Sequence, residues 1–405
     1  MRRFRTSASI GIGLALVVAG PSFASDLFDA CALVAASKYE PGYVGTGAVD
    51  VANANSYDAI EACEPALDED PSSIQISAWL GTAYATDEQV KKAVPLLEMA
   101  AAANNVVALR ALGDLLILGK GIEQDLPRAT TMLQQAADAG FAPAQLSLAY
   151  SYDFGDGVAA DPAMAFKYYL AAADAGVAKA QVVVADRYQK GIGVAPSEGE
   201  AFTWLERAAD GNDPQGQYRL GIAYLEGRGV PKNADKALAA FRASSDALYG
   251  PGVNALGYLT ELGIGLPADA AAASDLFSSA RGRNVPLGSY NLARLEEDGT
   301  GVEQDAISAR QHYRDAANAG EMRAAVNFAL MELGGAGGPL DVADAAKWLQ
   351  RAADAGNAVA ANNLGRLYEL GRGVEADLGK ARELYGKAAG QGYTLAADNL
   401  ARLGK

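Results

Sequence analysis

The sequence predicts an all-α protein built as a solenoid of stacked helical hairpins. Three observations predict it: the chain repeats every 36 residues from about 93 to 401, alanine and glycine recur at fixed places, and apolar residues between them follow helical spacing. One hairpin cannot bury its own apolar side, so consecutive repeats must stack. The 405 residues, half of them hydrophobic, suffice for a long array with a large core.

The N-terminus has the pattern of a secretory signal peptide. Arg2, Arg3 and Arg5 precede the apolar run IGIGLALVVAG, and small residues stand before a cleavage point after Ala24. The run is shorter than the roughly 20 residues that cross a bilayer, so a membrane anchor is the weaker interpretation. We therefore assign 1–24 to a signal peptide and expect a periplasmic or secreted protein without membrane insertion.

The charge balance argues against nucleic acid as a partner. Without the signal peptide and its three arginines, the chain has 31 basic and 49 acidic residues, a net charge near −18. Such a surface repels nucleic acid and anionic lipid, and it favours a basic protein or peptide.

Residues 25–71 are predicted to form a helical N-terminal extension that carries the two cysteines of the chain, Cys31 and Cys63. In an exported protein such a pair usually forms a disulfide. It would join two short helices across the loop between them and stabilise the fold by about 3 kcal/mol. Two free thiols are the alternative, although nothing basic or histidine-like flanks either cysteine.

Four columns define the repeat that follows. Alanine occupies one place nine times in nine, beginning at Ala93, and a second column that begins at Ala108 always holds alanine or glycine. Two further columns, which begin at Gly119 and Gly121, hold glycine in eight repeats. The small residues predict places where two helices approach closely, since larger side chains there would overpack the contact.

The paired glycines raise the question of a phosphate-binding loop, because GRGV occurs at 227–230 and again at 371–374. A phosphate loop is one special loop that follows a strand and precedes a helix. Here the GxG pair recurs in phase, follows a predicted helix each time and lacks a GK[ST] sequence. We therefore predict that these glycines end one helix at positive φ and let the chain reverse.

The columns combine into the motif AxxxLGxxYxxGxGVxxDxxxAxxWLxxAAxxG, well represented by QYRLGIAYLEGRGVPKNADKA at 217–237 and AFTWLERAADGN at 201–212. This motif resembles the Sel1-like repeat, a relative of the tetratricopeptide repeat (TPR). The resemblance covers 106–393 in eight units, followed by a lone helix at 394–405 that we interpret as a C-terminal cap. Residues 72–105 resemble a shorter TPR-like hairpin without the GxG loop.

The resemblance implies a right-handed α-solenoid that binds a protein or peptide on its concave face, as an exported scaffold or regulatory adaptor. Two alternatives remain: an envelope hydrolase or β-lactam-binding enzyme of the cysteine-rich Sel1-like type, and a purely structural spacer. The repeats contain no cysteine, which departs from the cysteine-rich subgroup. The oligomeric state stays open.

Catalysis finds little support in the side chains. The single histidine, His312, shares a column with Trp204 and Trp348 and is expected to pack on the second helix of its hairpin. Ser308 and Asp315 share its helix face, but one straight helix supplies neither a held base nor an oxyanion hole. One histidine and a bridged cysteine pair make no usual zinc site. We predict no enzyme activity, no metal site and no cofactor.

Candidate partner-binding residues come from two sets on the first helix of the hairpins. An asparagine precedes the LG position in the last units, at Asn291, Asn327, Asn363 and Asn399. In TPR relatives the matching residue faces the groove, and an amide suits the backbone of an extended peptide. Packing between stacked helices is an equal alternative. Neighbouring groove positions, by the same analogy, hold Tyr150, Tyr218, Tyr258 and Tyr290.

Two acidic residues complete the candidate set. Glu296 and Glu332 replace the tyrosine of the LGxxY motif in successive units, one repeat step or roughly 10 Å apart. They are candidates for contact with a cationic partner, and looser packing of these units is the alternative.

Overall fold

The computed structural model describes residues 26–41 and 55–404, and these residues form 21 α-helices. The prediction of an all-α solenoid of helical hairpins is confirmed. The predicted signal peptide at 1–24 and most of the loop between the two cysteine helices lie outside the described residues. Within the described ranges, no helix is both long and apolar enough to cross a bilayer.

The first of two compact units covers Met1–Ala171. Its helices are α1 (Asp26–Ala35), α2 (Ser56–Glu69), α3 (Ile74–Thr86), α4 (Val90–Ala102), α5 (Val106–Leu118), α6 (Leu126–Asp138), α7 (Ala142–Phe154) and α8 (Pro162–Asp174), whose last turn crosses the boundary. Within it α1 packs on α2, and α3–α4 and α5–α6 form hairpins.

The second unit covers Ala172–Lys405. Its helices are α9 (Ala178–Lys190), α10 (Glu198–Asp210), α11 (Pro214–Glu226), α12 (Ala234–Asp246), α13 (Gly250–Leu262), α14 (Ala270–Gly282), α15 (Pro286–Asp298), α16 (Ala306–Asn318), α17 (Met322–Gly334), α18 (Val342–Asp354), α19 (Ala358–Leu370), α20 (Leu378–Gly390) and α21 (Thr394–Leu403). Each odd-numbered helix from α9 to α19 pairs with the next even one, and α21 packs on α20.

We call the odd-numbered helices α9–α21 the first helices, and the surface that they form together the first-helix face. Neighbouring first helices touch directly, α9 with α11 and α11 with α13. The residues of this face therefore lie side by side from repeat to repeat, although they are 36 positions apart in the sequence.

The turn inside a hairpin follows from its glycine and its polar cap. Helix α11 ends where Gly227 adopts φ 77° and its N–H donates to the Ala223 carbonyl. Only glycine takes this left-handed conformation without strain. Helix α12 begins after Asn233, whose side chain accepts a hydrogen bond from the Lys236 N–H. These glycines therefore end helices at positive φ, as predicted.

The second glycine of the GxG pair makes a tertiary contact. Gly229 has φ 71°, and a Cβ added to it would lie 2.2 Å from the Glu198 carbonyl oxygen of the preceding hairpin. The loop thus presses its backbone against the first turn of α10. This close approach explains why glycine recurs at this place without any phosphate ligand.

The small columns sit where helices meet. Ala237 of α12 is fully buried, and a Cβ on Gly216 of α11 would lie 2.6 Å from the Ala208 Cβ. The glycine of the LG position is as close to its neighbour, because a Cβ on Gly221 would lie 2.6 Å from the Phe241 ring. The ring of the second helix therefore rests directly on the backbone of the first. Larger residues here would cost on the order of 1–3 kcal/mol through overpacking.

Within the first unit, a disulfide holds the two helices of the N-terminal extension together, and a buried carboxylate joins the extension to α3. The predicted Cys31–Cys63 bond is confirmed, and it joins α1 to α2 across 32 positions. Glu40 accepts hydrogen bonds from Trp79 Nε1 at 2.8 Å and Gln75 Nε2 at 2.9 Å, so it anchors the segment that follows α1 to α3. Burial raises the pKa of this carboxyl above its usual value.

Candidate functional site

The asparagines predicted to form a ladder have two kinds of surroundings. Asn291 is buried and its Nδ2 donates to Asn254 Oδ1 of the preceding first helix at 3.0 Å; Asn399 donates to Asn362 in the same way at 2.9 Å. Asn327 and Asn363 are half-buried on the same face. Asn291 and Asn399 therefore link neighbouring first helices, and Asn327 forms a hydrogen bond with Tyr313 of α16. The sequence alone did not identify these partners. Peptide binding by this column stays a prediction.

The four candidate tyrosines separate by exposure. Tyr258 is 47% exposed on the first-helix face. The other three each rest on an aromatic side chain of the helix that follows their own in the chain, with centroid distances of 5.4–5.9 Å: Tyr150 on Tyr169, Tyr218 on Phe241 and Tyr290 on Tyr313. Among the four, Tyr258 offers most of its ring to a partner.

The two candidate carboxylates already face basic groups of the chain itself. Glu296 Oε2 lies 2.7 Å from His312 Nδ1 within one hairpin. Glu332 Oε1 accepts from Arg310 Nη2 at 2.7 Å, between neighbouring hairpins. Both pairs are largely buried, at no more than 15% exposure of any of the four side chains. A cationic partner at these carboxylates would have to displace His312 or Arg310.

The residues around His312 do not assemble a catalytic relay. His312 bonds to Glu296, Ser308 Oγ donates to Asp305 at 2.7 Å, and Asp315 accepts from Gln311 at 2.8 Å. Serine, histidine and aspartate thus have separate partners, whereas a triad needs the histidine held between the other two. In the part of the chain that the structure describes, no three acidic, histidine or cysteine side chains gather into a metal site.

The structure adds a set of exposed aliphatic residues that the sequence reading did not single out. They lie on first helices, on the same face as Tyr258: Leu262 at 50% exposure, Leu330 at 44% and Leu370 at 52%. Two of them, Leu262 and Leu370, directly precede the glycine that ends their helix. The position of these two leucines, next to the glycine of the turn, was a signal in the sequence that could have found them.

Arginine–carboxylate pairs bridge neighbouring first helices beside these residues. Arg294 Nη2 donates to Glu261 Oε1 at 2.6 Å, and Arg402 Nη2 donates to Glu369 Oε2 at 2.8 Å. A third arginine, Arg219, donates to Asp186 at 2.8 Å. The first-helix face therefore combines exposed apolar side chains with ion pairs fixed between helices.

The Glu369 pair makes stability depend on pH in a defined direction. Hydrogen bonds from Arg402 and Tyr385 outweigh desolvation and hold the pKa of Glu369 at about 2. A lowered folded-state pKa stabilises the fold above the usual value of 4.5, and this stabilisation is lost as the pH falls towards 2. At neutral pH we expect Glu369→Gln to lose about 1 kcal/mol.

Thermal unfolding of wild type and Glu369→Gln between pH 7 and pH 2 measures this dependence. The two melting temperatures should converge below the usual carboxyl pKa. Glu375→Gln, at an exposed carboxyl in the loop before α20, is the control that should melt like wild type. A difference between the two melting temperatures that stays constant down to pH 2 would contradict the lowered pKa of Glu369.

Comparison with known proteins identifies what the repeats are similar to. The Sel1 repeat model matches residues 106–141, 142–177, 178–213, 214–242, 251–281, 286–321, 323–357 and 358–393, more than half of the chain. Among curated protein sequences, none matches significantly.

Two solved structures share the architecture at modest sequence identity. One is a protective antigen present in uropathogenic Escherichia coli strains, with an SLR fold: identity is 25%, the TM-score 0.66, and the match covers 88% of this chain and 76% of that one. The other is a Sel1 repeat protein from Oxalobacter formigenes, with 27% identity, a TM-score of 0.59 and coverage of 78% and 92%.

Proposed function

The chain belongs to the Sel1 repeat family, and on that premise we propose that it is an exported scaffold that binds a peptide or protein partner on its first-helix face. Sel1 and TPR-like folds are typically protein-interaction scaffolds, and they are generally non-enzymatic. The proposal adds the face, the compartment and the charge of the partner.

The exposed apolar residues of the first-helix face carry the proposal. Tyr258, Leu262, Leu330 and Leu370 are each more than 40% exposed on successive or nearby first helices. Exposed apolar side chains that cluster on one face mark interaction sites more often than scattered ones do. Tyrosine is a rigid, amphipathic anchor of the kind that interfaces use.

Export and partner charge rest on independent observations. The Cys31–Cys63 disulfide suits an oxidising compartment, in agreement with the signal-peptide pattern at 1–24. The acidic balance of the chain raises the encounter rate with a basic partner. We therefore propose a basic peptide or protein of the bacterial envelope or its exterior.

A pull-down with face-specific variants tests the proposal. The bait is the chain from residue 25 onward, incubated with an extract of the organism that encodes it. Tyr258→Glu combined with Leu330→Glu places two charges on the first-helix face, and it should abolish capture of the partner. The matched control combines Leu248→Glu and Ile307→Glu, at exposed apolar residues outside that face, and it should capture as wild type does.

Circular dichroism on each bait confirms that the variants remain helical. A partner lost equally with both pairs, or retained by both, would contradict the assignment to the first-helix face. Conversion of a β-lactam or another envelope substrate by the wild-type chain would favour the enzyme alternative.

A further inference from the structure

The second unit contains one surface arrangement twice, three hairpins apart. The pentapeptide NLARL occurs at 291–295 in α15 and again at 399–403 in α21, 108 positions later. Both copies start at the sixth residue of their helix. The repeat alone, at 36 residues, does not require this identity, because other units carry different residues at these places.

The two copies make the same hydrogen bonds. Asn291 donates to Asn254 and Arg294 pairs with Glu261 across α13 and α15. Across α19 and α21, Asn399 donates to Asn362 and Arg402 pairs with Glu369. Each of these four residues lies 108 positions after its counterpart in the first copy. Sequence identity is therefore matched by identity of the contacts.

Aliphatic residues occupy the same repeat positions beside each arginine–glutamate pair. Leu262 and Leu370, also 108 positions apart, are 50% and 52% exposed. The preceding first helix adds two aliphatic residues in each case. Ile222 and Leu225 of α11 are partly buried against the core, as is Leu333 of α17, whereas Leu330 of α17 is 44% exposed. We call Ile222, Leu225, Glu261, Leu262 and Arg294 site 1, and Leu330, Leu333, Glu369, Leu370 and Arg402 site 2.

Between the two exposed leucines, Leu262 and Leu370, helix α15 carries two acidic residues. Helix α15 contributes Glu297 and Asp298 at the end where site 1 and site 2 carry leucines. Asp298 is exposed and Glu297 half-buried, with one hydrogen bond from the Tyr313 hydroxyl at 2.7 Å. A bound peptide with an aliphatic side chain at each end and a basic side chain between them would match the leucines and the acidic residues of this face.

We propose, on the premise of the proposed function, that the partner is an extended peptide segment with two aliphatic anchors, one for each site, and basic residues between them. Packed helices lie about 10 Å apart, so three repeat steps separate the sites by roughly 30 Å. An extended chain advances about 3.3 Å per residue, so the anchors are about nine residues apart. Binding at both sites gains affinity because the second contact is intramolecular.

A selection from a random library of linear peptides of about 15 residues, long enough for this spacing, tests the proposal on the intact chain. Wild-type protein should enrich peptides with two aliphatic residues eight to ten positions apart and lysine or arginine between them. Enriched peptides are then synthesised and titrated by fluorescence anisotropy against wild type, Leu262→Glu, Leu370→Glu and the control Ile307→Glu.

Each single variant should weaken the two-anchor peptide about tenfold or more, to the affinity of a peptide that has lost one anchor. Removing one peptide anchor and mutating the leucine that binds it should together cost no more affinity than either change alone, since both changes remove the same contact. Ile307→Glu, on a second helix, should bind as wild type does.

The outcomes separate this proposal from the proposed function. Enriched peptides with one anchor that respond to only one of the two variants would overturn the two-site partner and leave the first-helix face in place. Peptides that bind equally to wild type and to a Leu262→Glu, Leu370→Glu double variant would overturn the two-site partner, as would a library that yields no binder. The proposed function fails separately, if the Tyr258→Glu, Leu330→Glu pair captures the partner as wild type does.

Discussion

Replacing Gly229 by alanine should destabilise the second unit by about 3 kcal/mol or more. Two costs add up. The residue has φ 71°, which strains any side chain, and the new Cβ would lie 2.2 Å from the Glu198 carbonyl oxygen. Because that neighbour is backbone at the start of α10, it cannot move aside as a flexible side chain could. Urea unfolding followed by circular dichroism measures the loss.

Gly356→Ala is the matched control for this prediction. Gly356 has φ 87°, but an added Cβ would meet no atom within 4 Å. It should cost only the conformational strain, about 1 kcal/mol. Hydrogen exchange should place the extra opening of Gly229→Ala at α10–α12. Equal losses in the two variants would show that the GxG loop does not pack closely on the preceding hairpin.

The fold could be predicted from the sequence because the residues that end, begin and pack its helices act locally and recur in each repeat. The residues at Gly227 and Asn233 end one helix and begin the next wherever their columns recur, so the hairpin could be derived from one unit and extended. Gly221 and Ala237 mark the contact between the two helices for the same reason. Such contacts depend on residue size at a fixed place, which a sequence displays directly.

The candidate site could be predicted only in part, since it depends on which side chains pair between repeats. The groove analogy selected Asn291 and Tyr258 alike, but the first is buried against Asn254 and the second is exposed. Burial of one position depends on side chains from other columns of the neighbouring helix, such as Asn254, which lies 37 residues before Asn291, and a single column does not include them. A comparison at 108 residues, rather than 36, would have found Leu262 and Leu370.

The comparison of residues 108 positions apart also shows an apolar cluster between two hairpins replaced by an ion pair between two others. Phe202, Tyr224 and Val230 pack together as an aromatic and aliphatic group, with 5.4 Å between the two ring centroids. The residues 108 positions later are Arg310, Glu332 and Gly338. A Cβ on Gly338 would lie 2.5 Å from Arg310 Nη1, so the glycine makes room for the guanidinium.

Arg310→Ala should therefore destabilise the second unit by about 3–5 kcal/mol, because it leaves Glu332 buried without its ion-pair partner. The two side chains are 13% and 6% exposed. Burial, together with Asp344 and Asp341, raises the pKa of Glu332, which Arg310 opposes. A raised folded-state pKa means that stability increases as the pH falls, so the deficit should shrink as the pH is lowered to the usual value of 4.5.

The triple variant Arg310→Phe, Glu332→Tyr and Gly338→Val should instead be neutral or more stable than wild type by about 1–4 kcal/mol. It places at these three positions the same residues as Phe202, Tyr224 and Val230, which pack together earlier in the chain. Both charges are therefore removed together, and apolar side chains fill the space that they occupied. Urea unfolding of the triple variant beside Arg310→Ala distinguishes two causes of the single-variant loss. If both variants lose stability equally, the site needs its ion pair; if only Arg310→Ala does, the cost comes from the unpaired carboxylate.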